Sequence, residues 1–410
     1  MRRIAWLTVF LAACLFLAGC GAGSKSSTAG RTTVGASTSA DLPGVTHPPA
    51  GHFKPDGTTV ASCTKVGFAC YEQAFGNLAY RSGPKAAFAV LEQMLAEHSA
   101  AVLGDCHTIT HSIGSATLLR FHDDAAAAMG QGSMDCGSGY YHGLIEYALE
   151  SATSMTQVVE KVQAMCTDRA ALKTTFLLYQ CVHGLGHGVM IFSGDNLPWA
   201  LSMCSKLENG WSQQSCSGGV FMQNFSLPSK LSPFRSQFVR KNDLLYPCDW
   251  VRAKYKYYCY LQITEHVLYV TGYNWKRAAQ TCARAPRPWS RICFQSFGRD
   301  ASGASRYHPA PTYALCRLTG AGLPDCVYGA ARDFANNDTN GIRAARFCAV
   351  VRLSLRGYCT YGIGTILRTL GHDRAWLGRT CSSLSTVYAK ECEGTLTSTE
   401  RQYLANVPFG

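Results

Sequence analysis

Residues 275–293 read WKRAAQTCARAPRPWSRIC, and residues 342–362 read IRAARFCAVVRLSLRGYCTYG. Each stretch is an Ala-containing segment that ends at a cysteine, followed by a short link and a second cysteine that begins another apolar segment. From Cys248 to Cys392 the spacings between successive cysteines alternate between 10 or 11 and 22 or 23 residues. A period of about 33–34 residues is typical of stacked helical hairpins. The sequence therefore predicts an all-α fold, a disulfide-stapled, solenoid-like array of about eight to nine αα-hairpin repeats.

The other cysteines continue this pattern towards the N-terminus with insertions. Residues 1–20 have the features of an export signal, and an exported chain folds in an oxidising compartment, where disulfides are the default state of paired cysteines. Pairing in consecutive order predicts bridges 63–70, 106–136, 166–181, 204–216, 248–259, 282–293, 316–326, 348–359 and 381–392. Pairing across the 22- or 23-residue hairpin is the alternative. Zinc clusters use cysteines two to four residues apart, a spacing that is not found here.

A glycine recurs three residues after the second cysteine of several pairs. These glycines are Gly139, Gly184, Gly219, Gly329 and Gly362. Glycine inside a helix costs about 1 kcal/mol relative to alanine. We interpret its recurrence as a sign that neighbouring helices approach closely.

This layout resembles the cysteine-rich Sel1-like helical-repeat proteins of bacteria. The resemblance is carried by a helix ending in Ala-Ala-x-x-Cys, as at residues 278–282, and by Cys-x-x-Gly opening the next helix, as at residues 359–362. It covers about residues 160–400 in layout. It implies a curved solenoid that binds something, commonly another protein.

The N-terminus has the features of an export signal. Arg2 and Arg3 precede an uncharged apolar run that ends in Leu17-Ala18-Gly19-Cys20. This ending resembles the lipobox of bacterial lipoproteins, which implies cleavage before Cys20 and lipidation of its thiol. The predicted organisation is a signal peptide over 1–19, a lipidated Cys20 with a disordered tether over 20–60, and a cysteine-rich helical repeat domain over 61–410. The predicted location is the extracytoplasmic face of the cell membrane.

Histidines concentrate in the repeats of the N-terminal half. His107 and His111 are four residues apart, as are His183 and His187, and residues at that spacing share one helix face. His142 and Glu146 have the same spacing in the repeat between them. Because His142 and His187 both lie six residues after a repeat cysteine, stacking would bring these side chains together.

Three interpretations of this cluster remain open on sequence alone. Imidazole and carboxylate ligands suit zinc, copper or iron, so the six residues predict a metal site. The alternative is a structural ladder of polar residues that hydrogen-bond across the stack. A third possibility is catalysis, either without metal or with metal and Glu146 as general base.

The same ladder position changes chemistry towards the C-terminus. It carries Glu265-His266, Arg299-Asp300 and Arg332-Asp333, which predict either ion pairs between repeats or a solvated surface. Residues 1–226 contain 13 Lys and Arg against 15 Asp and Glu, whereas residues 227–410 contain 25 against 11. The basic half therefore favours an acidic protein or an anionic cell-envelope polymer as partner, with nucleic acid disfavoured by the compartment.

These observations predict a membrane-anchored extracytoplasmic binding protein, with metal binding through the His/Glu cluster as the specific hypothesis. The alternatives are an interaction scaffold without metal and a metal-dependent enzyme that uses the same histidines.

Overall fold

The computed structural model describes residues 53–63, 68–97, 102, 105–133, 136, 139–150, 152, 154–167, 172–226, 236–398 and 400–401. The predicted signal segment 1–19, Cys20 and the tether up to residue 52 lie outside the described residues. The described residues contain helices and no β-strand, which confirms the all-α prediction. None of these helices has the length and apolar composition that crossing a bilayer would need.

Nine helices of the described residues lie in the N-terminal half of the chain, which carries the predicted histidine cluster. They are α1 (Phe68–Ser82), α2 (Pro84–Ala96), α3 (Cys106–Arg120), α4 (Ala125–Met129), α5 (Gly139–Glu150), α6 (Met155–Ala164), α7 (Thr175–Phe192), α8 (Leu197–Cys204) and α9 (Gly210–Phe225). The basic half follows. It contains α10 (Ala253–Gln262), α11 (Thr264–Val270), α12 (Trp275–Arg284), α13 (Trp289–Ala304), α14 (Pro309–Cys316), α15 (Leu323–Asn336), α16 (Ile342–Val350), α17 (Leu353–Leu367), α18 (Arg374–Leu384) and α19 (Ala389–Cys392). Two 3₁₀ segments, Val60–Cys63 and Arg317–Gly322, complete the described elements.

Side-chain caps fix where several of these helices begin. Thr174, Asn209, Asn274 and Asp373 each accept a hydrogen bond from the backbone N–H three residues later. Such caps satisfy one of the four N–H groups that the first turn of a helix leaves without a partner. These polar residues therefore mark where α7, α9, α12 and α18 begin.

The cysteines pair in consecutive order, which confirms the predicted connectivity over the alternative. The bridges are Cys63–Cys70, Cys106–Cys136, Cys166–Cys181, Cys204–Cys216, Cys248–Cys259, Cys282–Cys293, Cys316–Cys326, Cys348–Cys359 and Cys381–Cys392. Their Cα–Cα distances are 5.2 to 5.8 Å, within the usual range for disulfides. Each bridge from Cys166 onward joins the end of one segment to the helix that begins the next hairpin.

One helix of each repeat contributes to a continuous inner layer, and from α7 onward this is the helix that carries the second cysteine of a pair. In this layer α1, α3, α5, α7, α9, α10, α13, α15, α17 and α19 pack each against the next. The recurring glycines permit this packing, because a Cβ at Gly219 would overlap the His183 carbonyl and one at Gly329 would overlap the Gln295 carbonyl. The interpretation of these glycines as points of close helix approach is therefore confirmed at both positions.

The array curves until α7 meets the residues after α17. The backbone N–H of Phe176 donates to the carbonyl oxygen of Thr369 at 2.9 Å. Thr174 also lies against Gly371. The concave side of the inner layer between α7 and α17 consequently surrounds a cavity.

Candidate metal centre

The six residues predicted as ligands come together on three consecutive helices of the inner layer. His107 and His111 lie on α3, His142 and Glu146 on α5, and His183 and His187 on α7. The His142 ring lies at the centre of the group. Its centroid is 5.2 Å from that of His107, 5.5 Å from His111, 5.7 Å from His183 and 4.0 Å from His187.

The outer nitrogens of His107 and His111 are both committed to oxygen acceptors. His107 Nδ1 is 2.7 Å from the Cys136 carbonyl oxygen, and His111 Nδ1 is 3.1 Å from Glu146 Oε2. A carbonyl oxygen and an ionised carboxylate oxygen can only accept a hydrogen bond, so both Nδ1 atoms carry a proton. The two Nε2 atoms then present lone pairs to each other at 3.0 Å. Two neutral rings in this arrangement repel unless a cation lies between them.

His142 is buried and has no hydrogen bond at either ring nitrogen among the described residues. A buried polar atom without a partner costs about 1–3 kcal/mol. The His142 ring instead stacks on that of His187, with 20° between their planes. Either ring nitrogen of His142 can therefore serve as a ligand inside the cluster, and binding an ion at both nitrogens at once requires loss of the ring N–H proton.

His187 repeats the arrangement seen on α3. Its Nδ1 donates to Gln223 Oε1 at 3.1 Å, and its Nε2 has no partner among the described residues. His183 differs, because Nδ1 lies 3.3 Å from the Tyr179 hydroxyl and Nε2 lies 3.4 Å from the Met222 sulfur. A thioether is a weak acceptor and a soft metal ligand.

Burial keeps the imidazoles of His107, His142, His183 and His187 neutral. Desolvation, with a smaller contribution from His111, lowers the pKa of His107 to about 3. Desolvation also lowers the pKa of His183 to about 4. The pKa values of His142 and His187 fall well below the usual value, first because of burial and then because of the neighbouring histidines. Neutral imidazole is the form that binds metal ions.

The cluster contains two overlapping triads that could each hold a metal ion. One consists of His107, His111 and His142, and the other of His142, His183 and His187. The ligand atoms within each triad all lie within 4.8 Å of one another. Imidazole nitrogens about 2.0 Å from one ion are about 2.8 Å apart at a right angle and about 3.3 Å apart in a tetrahedron. The 3.0 Å between the Nε2 atoms of His107 and His111 is thus close to the spacing of neighbouring metal ligands.

Sequence reasoning missed three residues that contact the cluster. Met222 and Gln223 lie six and seven residues after Cys216, at the ladder position that holds His142 and His187 in the preceding repeats. Their offset from the cysteine was the sequence signal that could have placed them in the cluster, although neither residue is an imidazole or a carboxylate. Tyr179 lies one helical turn before His183 and has no comparable signal.

Charged residues at the ladder position further along the chain interact across repeats. Arg299 interacts electrostatically with Glu265 of the preceding repeat and with Asp333 of the following one. It also pairs with the adjacent Asp300, with 2.6 Å between Arg299 Nη2 and Asp300 Oδ1. The carboxylates of Asp300 and Asp333 accept hydrogen bonds from hydroxyls of the preceding inner-layer repeat, from Thr264 to Asp300 and from Ser302 to Asp333.

An ion pair also joins Arg291 of α13 to Asp325 of α15, with 3.2 Å between Nε and Oδ2. His266 is buried away from the cluster, where its Nε2 contacts the Arg240 carbonyl at 3.0 Å. The candidate centre is therefore confined to α3, α5, α7 and the adjoining face of α9.

Comparison of the chain with protein-family models, with curated proteins and with solved structures gave no match.

Proposed function

We propose that this protein is a membrane-anchored, extracytoplasmic binding protein that holds transition-metal ions in its histidine cluster. The lipobox-like ending at Cys20 supports the anchor. The disulfide bonds support an oxidising compartment, since such bonds are rare in the cytosol.

One observation carries the metal assignment. His107, His111 and His187 each donate a hydrogen bond from Nδ1 to an oxygen acceptor, which leaves Nε2 for the cluster. Metal-bound histidines have this pattern, because the second-shell acceptor fixes the tautomer and makes the other nitrogen a better ligand. His142 adds two ring nitrogens that have no partner among the described residues.

A purely structural ladder of hydrogen bonds fits this pattern less well. In such a ladder each lone pair would face a donor, whereas the Nε2 atoms of His107 and His111 face each other. A shared proton would also relieve this repulsion, but the low pKa of His107 disfavours that proton on the His107 ring at neutral pH. A metal ion supplies the cation without that cost.

Zinc, copper and iron are all compatible with imidazole ligands. The Met222 sulfur beside His183 Nε2 favours copper among the three, because thioethers select soft ions such as Cu(I).

Metal analysis of the purified mature protein tests this function. The protein is stripped with a chelator, loaded separately with copper, zinc or iron, desalted and measured for bound metal and melting temperature. We expect retained metal and a raised melting temperature, since a ligand at 100 times its Kd stabilises by about 2.7 kcal/mol. Protein that retains no metal and melts unchanged with all three ions would rule the function out.

A further inference from the structure

The cavity enclosed by the curved array has a volume of about 640 Å³, which is the size of a small-molecule binding site. It is lined by residues from α7 to α17, and His142 and His183 form part of its wall. Aromatic side chains cover much of the remainder. They include Phe176, Tyr179, Trp211, Tyr258, Trp275 and Tyr307.

Two arginines, Arg299 and Arg332, line this cavity, and they differ in whether a carboxylate pairs with them. Arg299 is paired with Asp300, and Glu265 and Asp333 also contribute to raising its pKa. Arg332 pairs with no carboxylate in the part of the chain that the structure describes. Its Nε is buried without a hydrogen-bond partner, and its Cζ lies 5.6 Å from the centre of the Tyr328 ring.

The surroundings of Arg332 are tyrosines rather than acids. The titratable groups that interact with Arg332 are Tyr328, Tyr257 and Tyr179. Burial raises the pKa of Tyr179 and of Tyr328 to about 12, so both phenols stay neutral at physiological pH. The Arg332 guanidinium therefore has no carboxylate at ion-pair distance among the described residues, in a wall that is largely aromatic. A charge in such a place is costly unless an opposite charge reaches it.

We propose that the cavity binds a small aromatic monocarboxylate, with its carboxylate on Arg332 and its ring between the aromatic walls. A guanidinium matches the planar carboxylate group, and both can form two parallel hydrogen bonds. A multiply charged anion fits less well, because Glu265, Asp300 and Asp333 also line the cavity.

The same geometry places the ligand beside the histidine cluster. The Tyr179 hydroxyl lies 3.3 Å from His183 Nδ1, and Tyr179 also interacts electrostatically with Arg332. A carboxylate held at Arg332 would thus lie in the same cavity as the imidazoles of His142 and His183. This proximity to bound metal rests on the proposed function, whereas recognition by Arg332 does not.

Calorimetric titration of metal-free mature protein with 3-phenylpropionate tests the proposal, and the neutral 3-phenylpropan-1-ol serves as the comparison ligand. We expect the carboxylate to bind at least about tenfold more tightly than the alcohol. Arg332→Met should remove this preference while leaving alcohol binding unchanged, which also shows that the variant is folded. Arg346→Met, at an exposed position of α16, is the matched control and should change neither affinity.

Equal affinity of wild type for the two ligands, or an unchanged carboxylate preference in Arg332→Met, would overturn the proposal. Repeating the titration with zinc-loaded protein separates it from the proposed function. If the protein binds the carboxylate but holds no zinc after loading and desalting, the metal centre is rejected and the cavity site is kept. If it holds zinc but does not bind the carboxylate, the cavity site is rejected and the metal centre is kept.

Discussion

Phe176 in the first turn of α7 donates its backbone N–H to the carbonyl oxygen of Thr369, just beyond the end of α17. The bond satisfies one of the N–H groups that the start of a helix leaves free. It also joins two distant repeats of the array, so that the inner layer surrounds a cavity. The histidine cluster borders this cavity through His142 and His183.

His142 belongs to both triads, so its loss should affect metal binding more than the loss of any other ligand. We expect wild type to bind two ions per chain, His107→Ala and His187→Ala to bind one each, and His142→Ala to bind none in the presence of a competing chelator. Metal analysis by mass spectrometry measures these ratios. His308→Ala, at an exposed histidine, is the control and should keep two ions. Two ions retained by His142→Ala would contradict the shared role.

Met222 should influence which metal binds. Met222→Leu keeps the apolar volume but removes the sulfur that lies 3.4 Å from His183 Nε2. We expect the affinity for Cu(I) to fall by about tenfold and the affinity for zinc to stay the same, because thioether ligands select soft ions. Competition titrations with chromogenic chelators measure both constants. An equal loss for the two metals would show that Met222 acts through packing.

Gly219 and Gly210 offer a matched pair on α9. A Cβ at Gly219 would overlap the His183 carbonyl, whereas a Cβ at Gly210 would meet nothing within 4 Å. Gly219→Ala should lower the free energy of unfolding by about 1–3 kcal/mol through overpacking and should weaken metal binding, since α7 must move. Gly210→Ala should leave stability unchanged or raise it by up to about 1 kcal/mol. Urea denaturation distinguishes the two, and similar stabilities would argue against close packing of α7 on α9.

The disulfides should each contribute measurably to stability. The Cys282–Cys293 bridge closes a loop with a sequence separation of 11 residues. The chain-entropy relation gives about 3 kcal/mol for a loop of this size. Replacing both cysteines with alanine should reduce the free energy of unfolding by about that amount. Peptide mapping of the wild type provides the accompanying check, because a different partner for Cys282 would remove the basis of the repeat alignment.

Asp333 should make stability depend on pH. Burial is the main cause that raises the pKa of Asp333 from 3.8 to about 6, and the hydrogen bond from Ser302 opposes it. The folded protein therefore binds this proton more tightly than the unfolded chain. The resulting stabilisation is complete below about pH 4 and is lost as the pH rises through 6.

Asp333→Asn removes this titration and can still accept the Ser302 hydrogen bond. The stability of the variant relative to wild type should therefore rise between pH 4 and pH 6 and then level off. Urea denaturation at several pH values measures the difference. A constant difference across this range would mean that Asp333 does not titrate there.

The cysteine spacing predicts the helical repeats, favours the observed disulfide order over pairing across the hairpin, and predicts that the six candidate ligands meet. Each of these depends on interactions between neighbours about one repeat apart, and the cysteine spacing records that distance directly. His142 and His187 come together because they share the same offset from a bridged cysteine, and stacked repeats place equal offsets side by side.

The tertiary structure alone decided which ring nitrogens face inward, because this depends on acceptors such as the Cys136 carbonyl and Gln223 on other segments. It also decided the closure between Phe176 and Thr369 and the charge left unpaired at Arg332. Curvature accumulates from small rotations at every repeat. Where the array meets itself is therefore set by the sum of many packing contacts, which no single stretch of the sequence records.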